Sequence, residues 1–219
     1  MLEPSFYTDK ESRILDLSRQ KSVLHLGCIG NTDESTARKI ELAHDTLHAR
    51  LTEVASRVLG IDLDGDAVQL MLESGIFNNI RQGDACRLDE ASIGADWDLI
   101  VVGDLIEHVS NPGLLLDSIR GVMTAKTLLV FTTPNAFGLP SVVRHALGKF
   151  HEGKEHVLSF NYLNLQQLLE RHLFKTESIG TCHQSMAERS PFFRIGKGLF
   201  EAMPRFGGTL FVTATSNLE

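Results

Sequence analysis

The sequence predicts an α/β fold built on a mostly parallel sheet of seven strands, with helices on both faces. Apolar runs of strand length alternate along the chain with amphipathic stretches of helix length, and this order is typical of successive βαβ units. The run WDLIVVG at 97–103 is almost wholly apolar, as expected of a central strand that is covered on both sides. The seven predicted strands are residues 22–26, 57–62, 79–84, 97–103, 128–132, 176–181 and 209–213.

Helix signals fall between these strands. An amphipathic stretch at 42–54 follows the first strand, and Asp64 or Asp66 is placed to cap a helix at 66–74. Asn111 and Pro112 supply an N-cap and a proline at the first helical position before the next helix. The later predicted helical segments are 114–123, 165–173 and a terminal stretch within 190–206.

The βα alternation breaks between residues 136 and 161. This segment contains Gly, Pro and His residues and a short amphipathic piece at 142–147. Because ligands of parallel sheets bind beyond the carboxyl ends of the strands, an insertion after the fifth strand is expected to cover an active site. We therefore expect residues 1–219 to form one domain, with 136–161 as an acceptor-site insertion or lid.

Composition narrows the partners. A net charge of −7 and a pI of about 5.7 argue against a broad phosphate-binding surface, so nucleic acid is not expected and a small or uncharged acceptor fits better. Three widely spaced cysteines without CxxC spacing indicate neither a disulfide framework nor a zinc site, and they suit a reducing cytoplasm. No signal peptide or stretch of about 18 apolar residues is present, so no membrane span is expected.

Residues that directly follow predicted strands are the candidates for ligand binding. Gly27 and Gly30 bound a turn that permits positive φ and close approach of a ligand to the backbone, although a simple tight turn explains them too. Asp62 could accept both hydroxyl hydrogens of a ribose, and Asp84 could accept a bond from an adenine amino group, with Ala85 against the ring. Each of these carboxylates could instead cap a helix.

In this order, the segments VLHLGCIGN, VLGIDLD, GDA, WDLIVVGDLIEHVSNP and LLVFTTPN resemble the motifs of class I S-adenosylmethionine (SAM)-dependent methyltransferases, which have a Rossmann-like fold. The resemblance covers residues 22–135 and continues more weakly to the end. It implies that the glycine loop meets the methionine part of SAM and that the next two strand ends hold ribose and adenine. Two positions depart from the pattern, because His25 replaces an acidic residue and Ile29 replaces the second glycine. The implied cofactor-binding residues are His25, Gly27, Cys28, Ile29, Gly30, Asp62, Leu63, Asp84, Ala85 and Gly103.

The segment Asp104-Leu105-Ile106-Glu107-His108 resembles the ExxEH segment of ubiquinone O-methyltransferases and small-RNA 3′-end methyltransferases. That resemblance implies a divalent cation held by Asp104, Glu107, His108 and a downstream histidine, for which His156 is the candidate. Such a cation would lower the pKa of an acceptor hydroxyl. Two alternatives remain open: His108 acts as a metal-free base, or Glu107 and His108 simply begin a solvated helix. The candidate catalytic residues are His108 and His156.

The function expected from these features is methyl transfer from SAM to a hydroxyl, in preference to an amine, of a small molecule, sugar or glycan precursor. One alternative is a non-catalytic SAM-binding or partner-binding protein, which the altered glycine loop would explain. Another is an NAD-dependent oxidoreductase. Its fingerprint requires GxGxxG and an acidic residue about 20 positions on, whereas Asp62 lies 32 residues after Gly30.

Overall fold

A computed structural model describes residues 5–7, 9–30, 34–149, 153, 155–182 and 198–217. These residues form one eight-stranded, mostly parallel sheet. Its strands are β1 (Ser5–Tyr7), β2 (Ser22–Leu26), β3 (Arg57–Asp62), β4 (Ile80–Gln82), β5 (Leu99–Gly103), β6 (Leu128–Pro134), β7 (Phe174–Cys182) and β8 (Thr209–Ser216). Their order in the sheet is β1-β7-β8-β6-β5-β2-β3-β4, and β8 runs antiparallel to β6 and β7 while the other neighbours pair in parallel.

The number of strands corrects the prediction of seven. The additional strand, β1, pairs in parallel with β7 at one edge of the sheet, with Phe6 opposite Thr181. Three residues are too few to show the alternation of apolar and polar side chains that marks a strand in sequence. Pairing with an already formed neighbour therefore determines β1.

Helices connect the strands. The segment predicted as one helix at 42–54 is divided, because Thr46 has an extended backbone with ψ 158° and its hydroxyl accepts a hydrogen bond from Ala49 N at 3.3 Å. Asp64, rather than Asp66, caps the next helix through Ala67 N, and Asn111 caps the helix that starts at Pro112, as predicted. The helices are α1 (Lys10–Ser18), α2 (Thr36–Leu42), α3 (Leu47–Val54), α4 (Gly65–Glu73), α5 (Glu90–Ile93), α6 (Pro112–Gly121), α7 (Leu139–Ala146) and α8 (Tyr162–Arg171).

Both faces of the sheet are covered, as the apolar central strand predicted. Leu99 and Val101 of β5 pack in a buried cluster with Ile14 of α1 and Leu51 of α3. The alternate residues of β5, Ile100 and Val102, pack in a second cluster with buried side chains of α6 and α8. The sheet is therefore the middle layer, and its strand ends are free to form a site.

The region after β6 contains α7 and returns to the sheet at a parallel bridge between Asn135 and Phe160. Residues 150–152 and 154 of the predicted lid, and 190–197 of the predicted terminal stretch, lie outside the described residues. Residues 198–202 are helical. Within the described ranges, no helix combines the length and apolar character needed to cross a bilayer.

Candidate functional site

The crevice of this sheet lies between β2 and β5. From β2 the chain builds outward through β3 and β4, and it then returns to build β5 and β6 on the other side. Such a reversal separates the strand ends and is where open α/β sheets bind ligands. A cavity of about 520 Å³ lies there, and a smaller one of about 290 Å³ adjoins it; both are lined by Gly27, Gly30 and Gly103.

Residues of the glycine loop line both cavities. Gly27 and Gly30 have φ of +72° and +60°, a region that side-chain-bearing residues rarely adopt. The amides of Gly27 and Cys28 donate to the Ile61 carbonyl at 2.8 and 3.3 Å, which ties the loop to β3. A Cβ on Gly27 would lie 3.4 Å from the Leu105 side chain, an ordinary contact, so the backbone conformation and not the space is what requires glycine there.

Asp62 ends β3 and lines the larger cavity beside the exposed Leu63. Its Oδ2 accepts a hydrogen bond from Ile29 N at 2.9 Å, and its Oδ1 accepts one from Asp64 N at 3.1 Å. The carboxylate is thus fixed between the glycine loop and the start of α4. Each oxygen keeps a lone pair for a further donor from a ligand.

Asp84 and Ala85 line the same cavity beyond β4. Asp84 Oδ1 accepts a hydrogen bond from Cys86 N at 2.8 Å and so caps the short 3₁₀ turn Ala85–Arg87. Asp84 therefore both caps this turn and lines the cavity. On the α4 side, the buried Lys39 pairs with Asp64 at 2.6 Å and also lines the cavity.

Three predicted cofactor residues point their side chains into the protein. The side chains of Cys28 and Ile29 are buried in a cluster with residues of α4, and both residues also line the smaller cavity. His25 is buried with its Nδ1 3.4 Å from Nδ1 of His48, and His48 Nε2 lies 3.2 Å from Asn79 Oδ1. Burial, with a smaller contribution from His48, lowers the pKa of His25 to about 3. His25 is therefore neutral where it borders the smaller cavity.

Lys10 lines the smaller cavity, although no pattern in the sequence predicted it there. It forms an ion pair with Asp104, whose other oxygen accepts a hydrogen bond from Thr132 Oγ1 at 3.0 Å. Burial lowers the pKa of Lys10, but the attraction and hydrogen bond of Asp104 have a larger combined effect, so the Lys10 pKa is raised. The two residues are 94 positions apart, and no spacing in the sequence links them.

Three of the four predicted metal-binding residues come together. Ligand atoms of Glu107, His108 and His156 all lie within 4.8 Å of one another. Backbone hydrogen bonds hold His156 near the other two residues. The Glu107 carbonyl accepts hydrogen bonds from Val157 N and Leu158 N at 2.9 and 3.2 Å, which fixes the segment that follows His156 beside Glu107. Asp104 does not join the group, since Lys10 and Thr132 engage its carboxylate.

In this group, which we call the Glu-His-His cluster, Glu107 is buried and the two histidines are partly buried. Glu107 is 1% exposed, and its Oε2 accepts a hydrogen bond from Thr133 Oγ1 at 2.9 Å. Its Oε1 and the Nδ1 of His108 are buried without a hydrogen-bond partner among the described residues. Burial and the charge of Asp104 raise the pKa of Glu107 to about 7, and burial and His156 lower the pKa of His108. Unpaired buried acceptors of this kind suit a cation or a ligand hydroxyl.

Comparison with known proteins adds to this geometry. A family model described as a methyltransferase domain matches residues 4–179. No curated protein matches the sequence.

Similar solved structures show the same fold. One is the magnesium protoporphyrin IX methyltransferase from Synechocystis with bound S-adenosylhomocysteine (SAH), at 14% identity and TM-score 0.57 over 94% of this chain and 81% of that one. Another is an N-methyltransferase from Bradyrhizobium japonicum, also with SAH. It is 13% identical, with a TM-score of 0.56 over 95% of this chain and 86% of that one. A third is a putative methyltransferase from Haloferax volcanii in complex with the activator Trm112. It is 12% identical, with a TM-score of 0.58 over 95% of this chain and 88% of that one.

Proposed function

This chain belongs to the methyltransferase domain family, and we propose that it transfers the methyl group of SAM to a hydroxyl of a small molecule, sugar or glycan precursor. The observation that carries the proposal is the carboxylate of Asp62, which two backbone amides fix beside the glycine loop at the crevice of the sheet. The family membership and the absence of a GxGxxG fingerprint disfavour the NAD-dependent alternative.

The larger cavity is proposed to take the nucleoside half of SAM. Asp62 would accept the ribose hydroxyls, and Leu63 would cover the sugar from the solvent side. Asp84 and Ala85 would meet adenine, with Asp84 accepting from the amino group while it still caps its turn. A carboxylate oxygen has two acceptor sites, so the two roles of Asp84 are compatible.

The smaller cavity is proposed to take the amino-acid end of SAM, which carries one positive and one negative charge. The backbone of the loop from Gly27 to Gly30 lines it, and Lys10 stands at its edge. The ion pair between Lys10 and Asp104 would open to pair with the ligand carboxylate and ammonium groups. Lys10 and Asp104 already lie side by side with opposite charges. Exchanging their mutual pairing for pairing with the zwitterion therefore buries no unbalanced charge.

SAM supplies an electrophilic methyl group: as the acceptor oxygen bonds to its carbon, the carbon–sulfur bond breaks and sulfur keeps the electron pair. The residues of this chain would hold both partners in line and exclude water. His108 is proposed to accept the proton of the acceptor hydroxyl. Its lowered pKa keeps the imidazole neutral and therefore able to accept that proton. His156, in contact with it at 4.7 Å between ring centroids, would orient the ring.

The Glu-His-His cluster also fits a divalent cation. Its fit rests on the unpaired Oε1 of Glu107 and Nδ1 of His108, two acceptor atoms left over in a buried place. Glu107, His108 and His156 would hold the ion, and Asp104 is assigned to Lys10 instead. A bound cation would supply Lewis acidity toward an acceptor oxygen. An acceptor screen with and without EDTA separates this role from catalysis by His108 alone.

We further propose that residues 1–219 act as one domain, that residues 136–161 cover the acceptor, and that the protein works in the cytoplasm. The three cysteines are free thiols, consistent with a reducing compartment.

The first test is calorimetric titration of the purified, cofactor-stripped protein with SAM, SAH and NAD. We expect micromolar binding of SAM and SAH, and a loss of at least about tenfold in affinity in the Asp62→Ala variant. The matched control is Asp66→Ala, since Asp66 is an exposed acidic residue in the first turn of α4 that caps nothing. Unfolding temperatures check that both variants fold.

Absence of SAM and SAH binding by the wild type would contradict the proposal. Retained SAM binding with no transfer to any hydroxyl or amine acceptor would instead favour a non-catalytic SAM-binding protein.

A further inference from the structure

Helix α7 exposes an apolar stripe to solvent. Its apolar residues recur at intervals of three and four, which places them on one side of a helix. No residue of the helix is buried, and Val142, Val143 and Leu147 are 43%, 46% and 67% exposed. Phe137, just before the helix, is 64% exposed. The stripe consists of the partly buried Leu139 and the exposed Val142, Val143, Ala146 and Leu147, of which Leu147 is the C-cap residue that follows the helix.

The formal charges within residues 136–149 are positive. Arg144 and Lys149 are exposed, and His145 bonds through its ring to the Ser141 carbonyl at 2.7 Å. Residues 136–149 contain no Asp or Glu, although the whole chain carries a net charge of −7. This segment therefore carries a local positive charge, which an anionic surface attracts at short range.

The helix is also close in sequence to the proposed catalytic groups. It follows β6, where Thr133 donates its hydrogen bond to Glu107. In sequence, α7 therefore closely follows a side chain that contacts the Glu-His-His cluster.

We propose that α7 docks this protein onto an anionic lipid surface, with the stripe in the interface and Arg144 and Lys149 against lipid phosphates. A basic amphipathic helix with exposed apolar residues has the chemistry that such surfaces bind. Two cations and about two turns of helix give weak, reversible binding. The proposal concerns a surface outside the SAM cavities, so it stands or falls independently of methyl transfer.

The test is flotation of the full chain with vesicles of phosphatidylcholine alone and of phosphatidylcholine with phosphatidylglycerol. We expect binding to the anionic vesicles only. One molar salt, where the Debye length is about 3 Å, should weaken it severalfold. The double variant Val142→Ser with Leu147→Ser should abolish binding, and Arg144→Gln with Lys149→Gln should reduce it severalfold.

Two control variants match these changes. Leu70→Ser with Leu72→Ser alters leucines of α4 that are 40% and 41% exposed, and Lys21→Gln with Lys126→Gln removes two exposed cations elsewhere. Both should bind like the wild type. Unfolding temperatures confirm that every variant folds, as expected for exposed side chains.

Three results would overturn the proposal: failure of the wild type to bind either vesicle, equal binding to both, or undiminished binding by the Val142→Ser, Leu147→Ser variant. Light scattering tests a fourth such result. If the wild type is a dimer and this variant is a monomer, the stripe forms a contact between two copies of the chain and not with lipid. The charge variant and the salt series decide the matter should the apolar variant fail to fold.

Discussion

Asp104 has a left-handed backbone with φ of +50° at the end of β5. Aspartate tolerates this conformation better than most residues because its short polar side chain can bond locally. Here the carboxylate accepts a hydrogen bond from Thr132 and pairs with Lys10, while Asp104 N donates to the Thr132 carbonyl at 2.9 Å. These bonds fix the aspartate against the crevice and away from the Glu-His-His cluster.

At this scale we predict that Lys10→Met weakens SAM binding by about tenfold or more, because a charge-assisted bond to the ligand carboxylate is lost. Adenosine, which lacks the amino-acid end, should bind the variant and the wild type equally. Calorimetry with both ligands measures the effect, and the exposed Lys21→Met is the control. An equal loss of affinity for adenosine would assign Lys10 a structural role.

Among the elements, the break between α2 and α3 shapes the smaller cavity. The 3₁₀ turn Ala43–Asp45 and the extended Thr46 turn the chain, and Asp45, Thr46 and Leu47 line that cavity. A continuous helix over 42–54 would lack this bend. The hydroxyl of Thr46 also accepts from Ala49 N and donates to the Ala43 carbonyl at 2.7 Å, so one side chain stabilises both sides of the break.

We predict that Thr46→Ala lowers the free energy of unfolding by about 1 kcal/mol, the usual cost of a lost N-cap. Thr46→Ser keeps the hydroxyl and should retain most of the stability. Urea denaturation followed by circular dichroism measures both variants. If the alanine variant matches the wild type, the cap does not stabilise the break.

For the whole molecule, the sheet gathers groups that are far apart in the chain. Strand pairing aligns the carboxyl ends of β2, β3, β4 and β5, and so brings together the glycine loop, Asp62, Asp84 and Asp104. Packing beneath the loop then buries His25 and His48 as stacked rings. Their burial makes the stability of the fold depend on pH.

We predict that His25 makes the protein less stable in acid. Its folded pKa of about 3 is below the unfolded value of 6.5, so the unfolded chain binds the extra proton first. The stability is present above pH 6.5 and is lost as the pH falls toward 3. At pH 5 the loss attributable to His25 is about 2 kcal/mol.

The raised pKa of Glu107 has the opposite effect on stability. As the pH falls from 7 to 4.5, the ordinary pKa of a glutamate, the folded chain binds this proton first and gains stability. The diagnostic is therefore the difference between the wild type and His25→Gln, measured by urea denaturation from pH 7.5 to pH 5. The variant should lose less stability than the wild type over this range. The exposed His44→Gln should follow the wild type, and identical slopes for His25→Gln and the wild type would refute the assignment.

The sequence by itself determined the fold class and the residues at the strand ends. Apolar periodicity and local caps such as Asn111 act over a few neighbouring positions, so their consequences are written in the order of residues. The glycine loop with Asp62 behind it, and the pair Glu107 and His108, were predictable for the same reason.

Only the tertiary structure decided which of these groups meet. The edge strand β1 forms on β7, Lys10 takes Asp104 out of the predicted metal set, and the Glu107 carbonyl brings His156 to His108. These contacts join segments far apart in the chain. Their free energy comes from burial and pairing that exist only after the layers have packed, so no local pattern records them.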